Sequence, residues 1–598
     1  MILKKASVLA FILILAGIPA FAGGASQSGS SPAATTGTLP RNETLYYNGL
    51  VWGRVTQFNP YGQGGVSFAL TGYNAMANNL IYETLFLYNM LDGKIYPHIG
   101  QSYAWNGPIL TVKLNPNVRF NDGSKFTAAD AVNSYILQRD YQTGGSGIWN
   151  YIESVTAKDD YTVEIKASTK NYNPKRVEES LAALYMTSKS AWDKILAQAD
   201  PGKNNRMAVA QYANLENIVA SGPYKPYFWD ETKVVLIRDD NYWGKHPSRF
   251  GKLPPPKYIC HNIFKDNAAG DAAFRVGEVD ISHQFISQVW KMWESGAKVE
   301  TYLPQAPYYF PGTTVCLIYN VKKPGLDDPA VRRALSISVD FNTVGQNAMS
   351  GYTPPVAASL MLPTQTEQAL VDWDAVKPYQ WTGTLEERAA EANRILDQAG
   401  WVKDADGIRA KGGVRLSFTA ECPNAYSDWQ ATLEVVAQSA RTVGIEVKTN
   451  YLAQPIWVQN RDNTQFDITL MFYSGAGPAA PWSRLNAAIG STEIPAEGTP
   501  NSAQNYGRWI NQEVNDILAQ ILKETDPAKI KALYTRLNII YLQQVPIAVV
   551  MYRPILFFTV NTSNWEGYPK LGDGTNIPPT LCSHGYGIEA LYRLKPRR

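Results

Sequence analysis

Residues Leu110–Val132 read LTVKLNPNVRFNDGSKFTAADAV. Leu110, Val112 and Leu114 alternate with Thr111 and Lys113, the period of a half-buried strand. Asn121-Asp122-Gly123 then supplies a tight turn, because glycine accepts positive φ freely. Thr127 precedes a helical pattern with Asp130 at its third position, the spacing of a capping box. The same grammar recurs downstream. TLEERAAEANRILDQAG (384–400) predicts a helix with a Thr384/Glu387 capping box, an apolar stripe of Leu385, Ala389, Ala392 and Leu396, and a stop at Gly400. KGGVRLSFTA (411–420) follows as a strand. Asp428 opens a helix whose Leu433, Val436, Ala440 and Val443 share a face, Gly444 ends it, and IEVKTNYL (445–452) is the next strand. Helix–Gly–strand successions of this kind build α/β layers.

The 598 residues are 45% apolar, 12% aromatic and 18% charged, which excludes disorder for the bulk of the chain. That length predicts about two to four domains. With 55 Lys and Arg against 52 Asp and Glu, the net charge is only +3. No electrostatic footprint for a nucleic acid or an anionic membrane surface is present. Thirty-five Tyr and 16 Trp among neutral polar residues suit recognition of a neutral polar ligand by stacking and hydrogen bonding.

The first 22 residues, MILKKASVLAFILILAGIPAFA, have a basic start at Lys4 and Lys5, an apolar run from Val8 to Ala16, and a small-x-small site at Ala20-Phe21-Ala22. This is the pattern of a secretory signal peptide cut after Ala22, and the run is short of a membrane span. The protein is therefore expected in the periplasm or outside the cell. Residues 23–44 read as a Gly/Ser/Thr-rich flexible tether. Cys260, Cys316, Cys422 and Cys582 are far apart and form no C-x-x-C, so buried free thiols and disulfides both fit.

Further motifs stand along the chain in a fixed order. They are Tyr82-Glu83-x-Leu85, Ser221-Gly222-Pro223-Tyr224, the strand KVVLIRDDNYWG (233–244), Gly277-Glu278-Val279-Asp280, and Asp328-Pro329-Ala330-Val331-Arg332-Arg333-Ala334-Leu335. The DGI turn (406–408), G-I-E-V (444–447) and PIAVVMYRP (546–554) complete the set. Together with Leu110–Val132 they closely resemble the family 5 extracellular solute-binding proteins, receptors of ABC importers for peptides, nickel and, in one branch, oligosaccharides. The resemblance implies an α/β, two-lobed periplasmic-binding-protein-like fold of type II with an extra subdomain in lobe I. Lobe I would comprise residues 45–311 and 549–598, with the subdomain at about 89–219, and lobe II residues 312–548. Ligand would sit in the cleft, and hinge strands would let the lobes close over it. The motif residues themselves read as scaffold: Asp122-Gly123 as a turn, and Pro329 in a helix's first turn, where a missing N–H costs nothing.

No enzyme chemistry stands out. The histidines are His98, His246, His261, His283 and His584, without an H-E-x-x-H motif. Ser146 lacks the second flanking glycine of a nucleophile elbow, and there is no phosphate-binding G-x-x-x-x-G-K loop. Asp404-Ala405-Asp406-Gly407 lacks the third ligand and closing Glu of a calcium loop and reads as a hairpin turn. No enzyme activity, cofactor or metal is expected. Two carboxylates at a glycosidase separation are invisible to sequence, so a secreted carbohydrate-active enzyme stays open as a lesser reading.

Peptide-binding members of the family tend to place an Asp in lobe II that pairs with the peptide's α-amino group. Here FDITLMFYSG (466–475) runs into AGPAAPWSRLN (476–486) with no Asp at that place. An unpaired ammonium in a closed cleft would cost several kcal/mol, which counts against peptides. Pro481-Trp482-Ser483-Arg484 and Asn505-Tyr506-Gly507-Arg508-Trp509 instead look like the cello-oligosaccharide and β-glucoside branch. Sugar rings pack on aromatic planes, and their hydroxyls need amides, Arg and carboxylates at the edge. The expected ligand residues are Trp482, Arg484, Trp509, Tyr506, Asn505, Trp457 and Trp52. Trp290 and Trp293 could line the cleft or simply pack, whereas Trp401 and Trp243 read as packing residues. The expectation is a monomeric receptor that delivers an oligosaccharide to a membrane permease and binds no nucleic acid. An oligopeptide receptor of the same family, or a chemosensory binding module, would also fit these residues.

Overall fold

Two mixed sheets carry the fold. The computed structural model describes residues 38–62, 66–68, 79–474, 479–501, 505–524, 526–554, 557–581 and 585–597. In lobe I the strand Thr44–Asn48 pairs in parallel with Tyr258–Asn262 on one side and Ile281–Ser282 on the other. Tyr224–Trp229 and Lys233–Arg238 extend one edge of this sheet, and Thr559–Asn561 and Val299–Thr301 the other. In lobe II the order is Glu446–Leu452, Ser417–Pro423, Ile468–Ser474, Pro311–Tyr319 and Ile547–Pro554. The first three run parallel, and Pro311–Tyr319 is antiparallel to both its neighbours. The chain leaves lobe I between Thr301 and Pro311 and returns between Pro554 and Thr559. These two crossings are where the expected hinge would lie.

Leu110–Val132 folds as its sequence dictates. Strand Ile109–Leu114 lies in a four-stranded antiparallel sheet with Gly100–Asn106, Thr162–Ala167 and Ile152–Asp159. Leu110, Val112 and Leu114 are buried with Phe120, Phe126 and Tyr135. Gly123 has φ +85°, and helix Ala128–Asp140 begins where the Asp130 carboxylate accepts the Thr127 backbone N–H at 2.8 Å. In lobe II, helix Ser427–Thr442 buries Leu433, Val436, Ala440 and Val443 in one cluster.

Helix Leu385–Gln398 departs from its expected stripe. Ala392 and Leu396 are buried, but Leu385 is 41% exposed. Arg388 turns inward and donates to the Ile337 and Val339 carbonyls, satisfying the carboxyl end of helix Pro329–Ser338. A long cationic side chain thus does what periodicity assigned to leucine.

The scaffold motifs have concrete tasks. Glu83 is fully buried and accepts from Tyr242 Oη at 2.5 Å and Trp243 Nε1 at 2.8 Å, with His98 Nε2 3.0 Å away. Arg332 donates to the carbonyls of Leu326, Asp327, Gln544 and Val545, tying the amino end of its helix to the end of helix Pro527–Gln544. Arg41, inside the stretch expected as tether, forms an ion pair with buried Asp280, so the ordered body begins before residue 45. Asp404 and Asp406 both bond Arg415 across their hairpin. Trp401 and Trp243 are packed, their indole N–H groups bonded to Asp328 and Glu83. Cys260, Cys316 and Cys422 are buried free thiols, and Cys582 lies outside the described residues. No helix among the described residues is long and apolar enough to cross a membrane.

Candidate functional site

Parallel strands bring their carboxyl ends to one edge, and loops leaving that edge form the natural ligand crevice of an α/β layer. In lobe I that edge holds Asn48 and Ser282, followed by Gly49 and Gln284. In lobe II, register sets Thr313 opposite both Ser474 and Arg553, so the carboxyl ends of Ile468–Ser474 and Ile547–Pro554 share one edge. Ser417–Pro423 ends on that edge too and feeds directly into Tyr426, Ser427 and Asp428. The two edges face one another across the lobe boundary.

Direct contacts close the boundary. The Trp52 ring meets Tyr426 edge-on with centroids 5.9 Å apart, and Asn267 Nδ2 donates to Ser427 Oγ at 2.8 Å. On the subdomain side, Tyr151 meets Trp482 at 5.8 Å and 90°, and its hydroxyl reaches Glu493 at 3.4 Å. Near the hinge, Tyr352 Oη donates to the Ile286 carbonyl at 2.5 Å. Between these contacts lies a polar network. Asn48 Nδ2 donates to Gln284 Oε1 at 3.1 Å, and Gln284 Nε2 donates to the Asn267 carbonyl and to Asp271 Oδ1, each at 2.6 Å. Gly49 permits this approach: it has φ +88°, and a Cβ there would stand 2.5 Å from the Gln284 nitrogen. On the lobe II side, Arg553 Nε donates to Asp428 Oδ2 at 2.7 Å, and its guanidinium lies over Phe557 at 4.6 Å.

Loss of solvent pushes the Asp271 carboxyl up to about 7, against the opposing pull of the Gln284 hydrogen bond and of Arg275. Glu421, in the lobe II strand Ser417–Pro423, is pushed up to about 7 for the same reason, against the opposing pull of the Asn460 hydrogen bond. Burial lowers His261 to about 3 and His283 to about 4, so both imidazoles beside Tyr47 are neutral.

The residues expected to touch ligand separate into groups. Trp52 and Trp482 stand at the lobe boundary. Trp482 is 5% exposed, and its indole N–H donates to the Leu518 carbonyl at 2.8 Å. Arg484 is committed to Glu367, donating from Nη1 to Oε1 at 2.8 Å and from Nη2 to Oε2. Trp457 is fully buried, with Nε1 bonded to Thr469 at 2.9 Å and its ring against Trp429 and Arg461. Asn505, Tyr506 and Trp509 are buried at the opposite end of the lobe II sheet. There a Cβ on Gly507 would meet the Tyr319 carbonyl, at the far end of Pro311–Tyr319 from the cleft. Asn505 Nδ2 donates to the Gly490 and Trp509 carbonyls, and Tyr506 lies under Arg461. Asn505, Tyr506 and Trp509 therefore build lobe II away from the cleft edge, while Arg484 and Trp457 are committed to partners inside lobe II. Trp290 and Trp293 pack with Tyr308 near the hinge. Sequence reasoning missed Asn48, Asn267, Asp271, Gln284, Tyr426 and Arg553, and it read Asp428 only as a helix start.

Two α/β lobes, two crossings between them and a polar, aromatic boundary between opposed strand ends fit a cleft-type solute-binding protein. Residues 94–495 match the family model for bacterial extracellular solute-binding proteins, family 5, and the chain belongs to that family. It is 24% identical over 540 residues to the nickel-binding periplasmic protein of Escherichia coli, covering 87% of this chain and 90% of that one. Against the periplasmic oligopeptide-binding protein OppA of the same organism it is 23% identical over 566 residues, covering 88% and 90%. A Thermotoga maritima oligopeptide ABC transporter binding protein, solved with mannohexaose bound, superimposes with a TM-score of 0.81 at 25% identity, covering 94% of this chain and all of that one. The chain is thus a solute-binding receptor of an ABC importer and not an enzyme.

Proposed function

We propose that the receptor captures a neutral oligosaccharide of the cello-oligosaccharide or β-glucan type and delivers it to its permease. The observation that carries this reading is the pair of aromatic contacts across the lobe boundary, Trp52–Tyr426 and Tyr151–Trp482, with the linked amides of Asn48, Gln284 and Asn267 running to Ser427 beside Tyr426. Flat rings bordered by amides suit sugar faces and their hydroxyls. The mannohexaose bound to the Thermotoga maritima relative supports a sugar. So does the lack of an Asp in 468–486, although residues 475–478 of that stretch lie outside the described residues. Residues 1–22 would act as an export signal and the stretch from 23 to about 40 as a tether, shorter than the expected 23–44 because Arg41 is ion-paired to Asp280 and Thr44 begins a strand; residues 1–37 lie outside the described residues. Lobe I would take residues up to about 310 and from about 559, with a subdomain at about 89–219, and lobe II residues 311–554, so the return expected at 549 falls later because Ile547–Pro554 pairs throughout with Pro311–Tyr319.

An oligopeptide is the second reading. The half-buried Asp271 and the free oxygen of Asp428 favour it, since either could receive an α-ammonium. Calorimetric titration with cellotetraose, mannohexaose and penta-alanine separates the two. Binding of a sugar with no heat from the peptide is expected; the reverse pattern overturns the sugar assignment.

A further inference from the structure

The hydrogen-bond directions of Gln284 and Asn48 can be fixed from their acceptors. Gln284 Nε2 faces the Asn267 carbonyl and the Asp271 carboxylate, so the amide cannot be turned over without setting oxygen against oxygen. Its Oε1 therefore faces Asn48 and takes the Asn48 Nδ2 proton. Asn48 is fixed in turn, and its Oδ1 is left without a partner at 0% exposure. Asn267 Oδ1 and Asp428 Oδ1 are also unpartnered, in residues 5% and 1% exposed. Contacts join these groups in one run: Asn48 to Gln284, Gln284 to Asn267, Asn267 to Ser427, and Ser427 to its neighbour Asp428. Buried polar atoms are almost always paired, so three acceptors left open in succession at a lobe boundary call for donors from outside the protein. The Trp429 indole N–H, unpartnered and fully buried in the residue after Asp428, adds one donor. The unpaired hydroxyls of Tyr47 and Ser282, beside Asn48 and Gln284 in sequence or sheet, can serve either way. By contrast, the polar cavity around His98, Arg249 and Glu589 has those groups bonded to one another.

We infer that Asn48, Asn267 and Asp428 form an acceptor-rich anchor subsite that takes a ligand group donating several hydrogen bonds, such as a hydroxyl-bearing sugar ring, and rejects carboxylates. This rests on the reading of the cleft as the ligand site. Sugar hydroxyls give a proton to each open acceptor and take one from Trp429. A carboxylate would set its oxygens against Asn48 Oδ1 and Asp428 Oδ1, next to Asp271, and suffer desolvation without gaining donors.

The test is calorimetric titration of the full-length mature protein with cellotetraose, mannohexaose, the tetra-uronate made by oxidising cellotetraose at C6, and penta-alanine. The neutral sugar is expected to bind at least ~10-fold more tightly than its uronate, which differs chiefly in charge. Asp428→Asn can keep an oxygen toward Arg553 and turn an NH2 outward, changing the open acceptor into a donor. It should weaken neutral-sugar binding by ~10-fold or more and narrow the gap to the uronate. Asn48→Leu should weaken neutral-sugar binding comparably. Melting temperatures confirm folding, and Glu421→Gln, within strand Ser417–Pro423 and bonded to Asn460 outside the anchor run, should bind as wild type. If penta-alanine binds and the sugars do not, the oligosaccharide reading fails, while the anchor is still tested by the variants' effect on peptide affinity. Folded Asp428→Asn and Asn48→Leu proteins with wild-type affinity for whichever probe binds would overturn the anchor. So would a uronate bound as tightly as the neutral sugar, or no binding by any probe.

Discussion

Arg484 stands in a motif that looks like a sugar-binding one, yet its geometry assigns it to the interior of lobe II. Its side chain and that of Glu367 are 1% and 8% exposed, and the two are joined by paired N–H···O contacts. Removing one partner of such a pair leaves a buried charge uncompensated and costs about 3–5 kcal/mol. Arg484→Met, which keeps the apolar stem, should cost that much. Glu367→Gln should also destabilise, by stranding the guanidinium, while retaining an acceptor for the Leu362 N–H that Glu367 Oε2 receives at 2.8 Å. The double variant has no buried charge left over, so its loss should fall short of the sum of the single losses by about 2 kcal/mol or more. Urea unfolding of the four proteins measures this coupling. Additivity to within about 0.5 kcal/mol would refute the buried-pair account. Sugar affinity per folded Arg484→Met molecule should stay near wild type. A tenfold loss would return Arg484 to the ligand site.

Three further outcomes follow from the geometry. Gly49→Ala should destabilise by about 2 kcal/mol and weaken ligand binding, because the new Cβ meets the Gln284 backbone in a positive-φ conformation; a neutral effect on both would contradict the close approach. The carboxyl of Glu421 is raised to about 7 by burial, so the stability it allows is full below about 4.5 and is lost as pH rises through 7. Glu421→Gln should therefore gain on wild type as pH rises, and a melting-temperature gap that shrinks from pH 5 to 8 would argue otherwise. His261 and His283 are lowered to about 3 and 4 by burial, so their contribution is full above about 6.5 and falls away as pH drops toward 3. His283→Leu should flatten that acid slope, measured by thermal unfolding between pH 7 and 4; an unchanged slope would count against it.

Local pattern made much of the scaffold legible. Leu110, Val112 and Leu114 mark a strand by period two, and Thr127, Asp130, Thr384 and Glu387 mark helix starts by their backbone hydrogen-bonding chemistry, all without tertiary context. Periodicity reports which face is buried but not what fills it, so Leu385 and Arg388 exchange their expected places. The same blindness governs the tryptophans. Trp457 occupies a helix with mixed neighbours, and only tertiary packing shows it beneath Trp429. The cleft amides were less legible still. Asn48 and Gln284 are far apart in sequence and become neighbours only because Thr44–Asn48 and Ile281–Ser282 pair in parallel. One signal was present. Asp428 follows Ser417–Pro423 at the point where a parallel strand ends and a helix begins, the usual address of a ligand contact in an α/β layer.

A neutral sugar is expected between the two lobes, on the carboxyl edges of both sheets. A crystal structure of the protein with mannohexaose or cellotetraose, whichever binds, tests this most directly. A sugar ring is expected at the Trp52–Tyr426 and Tyr151–Trp482 contacts, with hydroxyls within hydrogen-bond distance of Asn48 Oδ1 and Asp428 Oδ1. Sugar density anywhere else, such as beside Tyr96, Arg249 and Glu589 or against Tyr506 and Trp509, would contradict it.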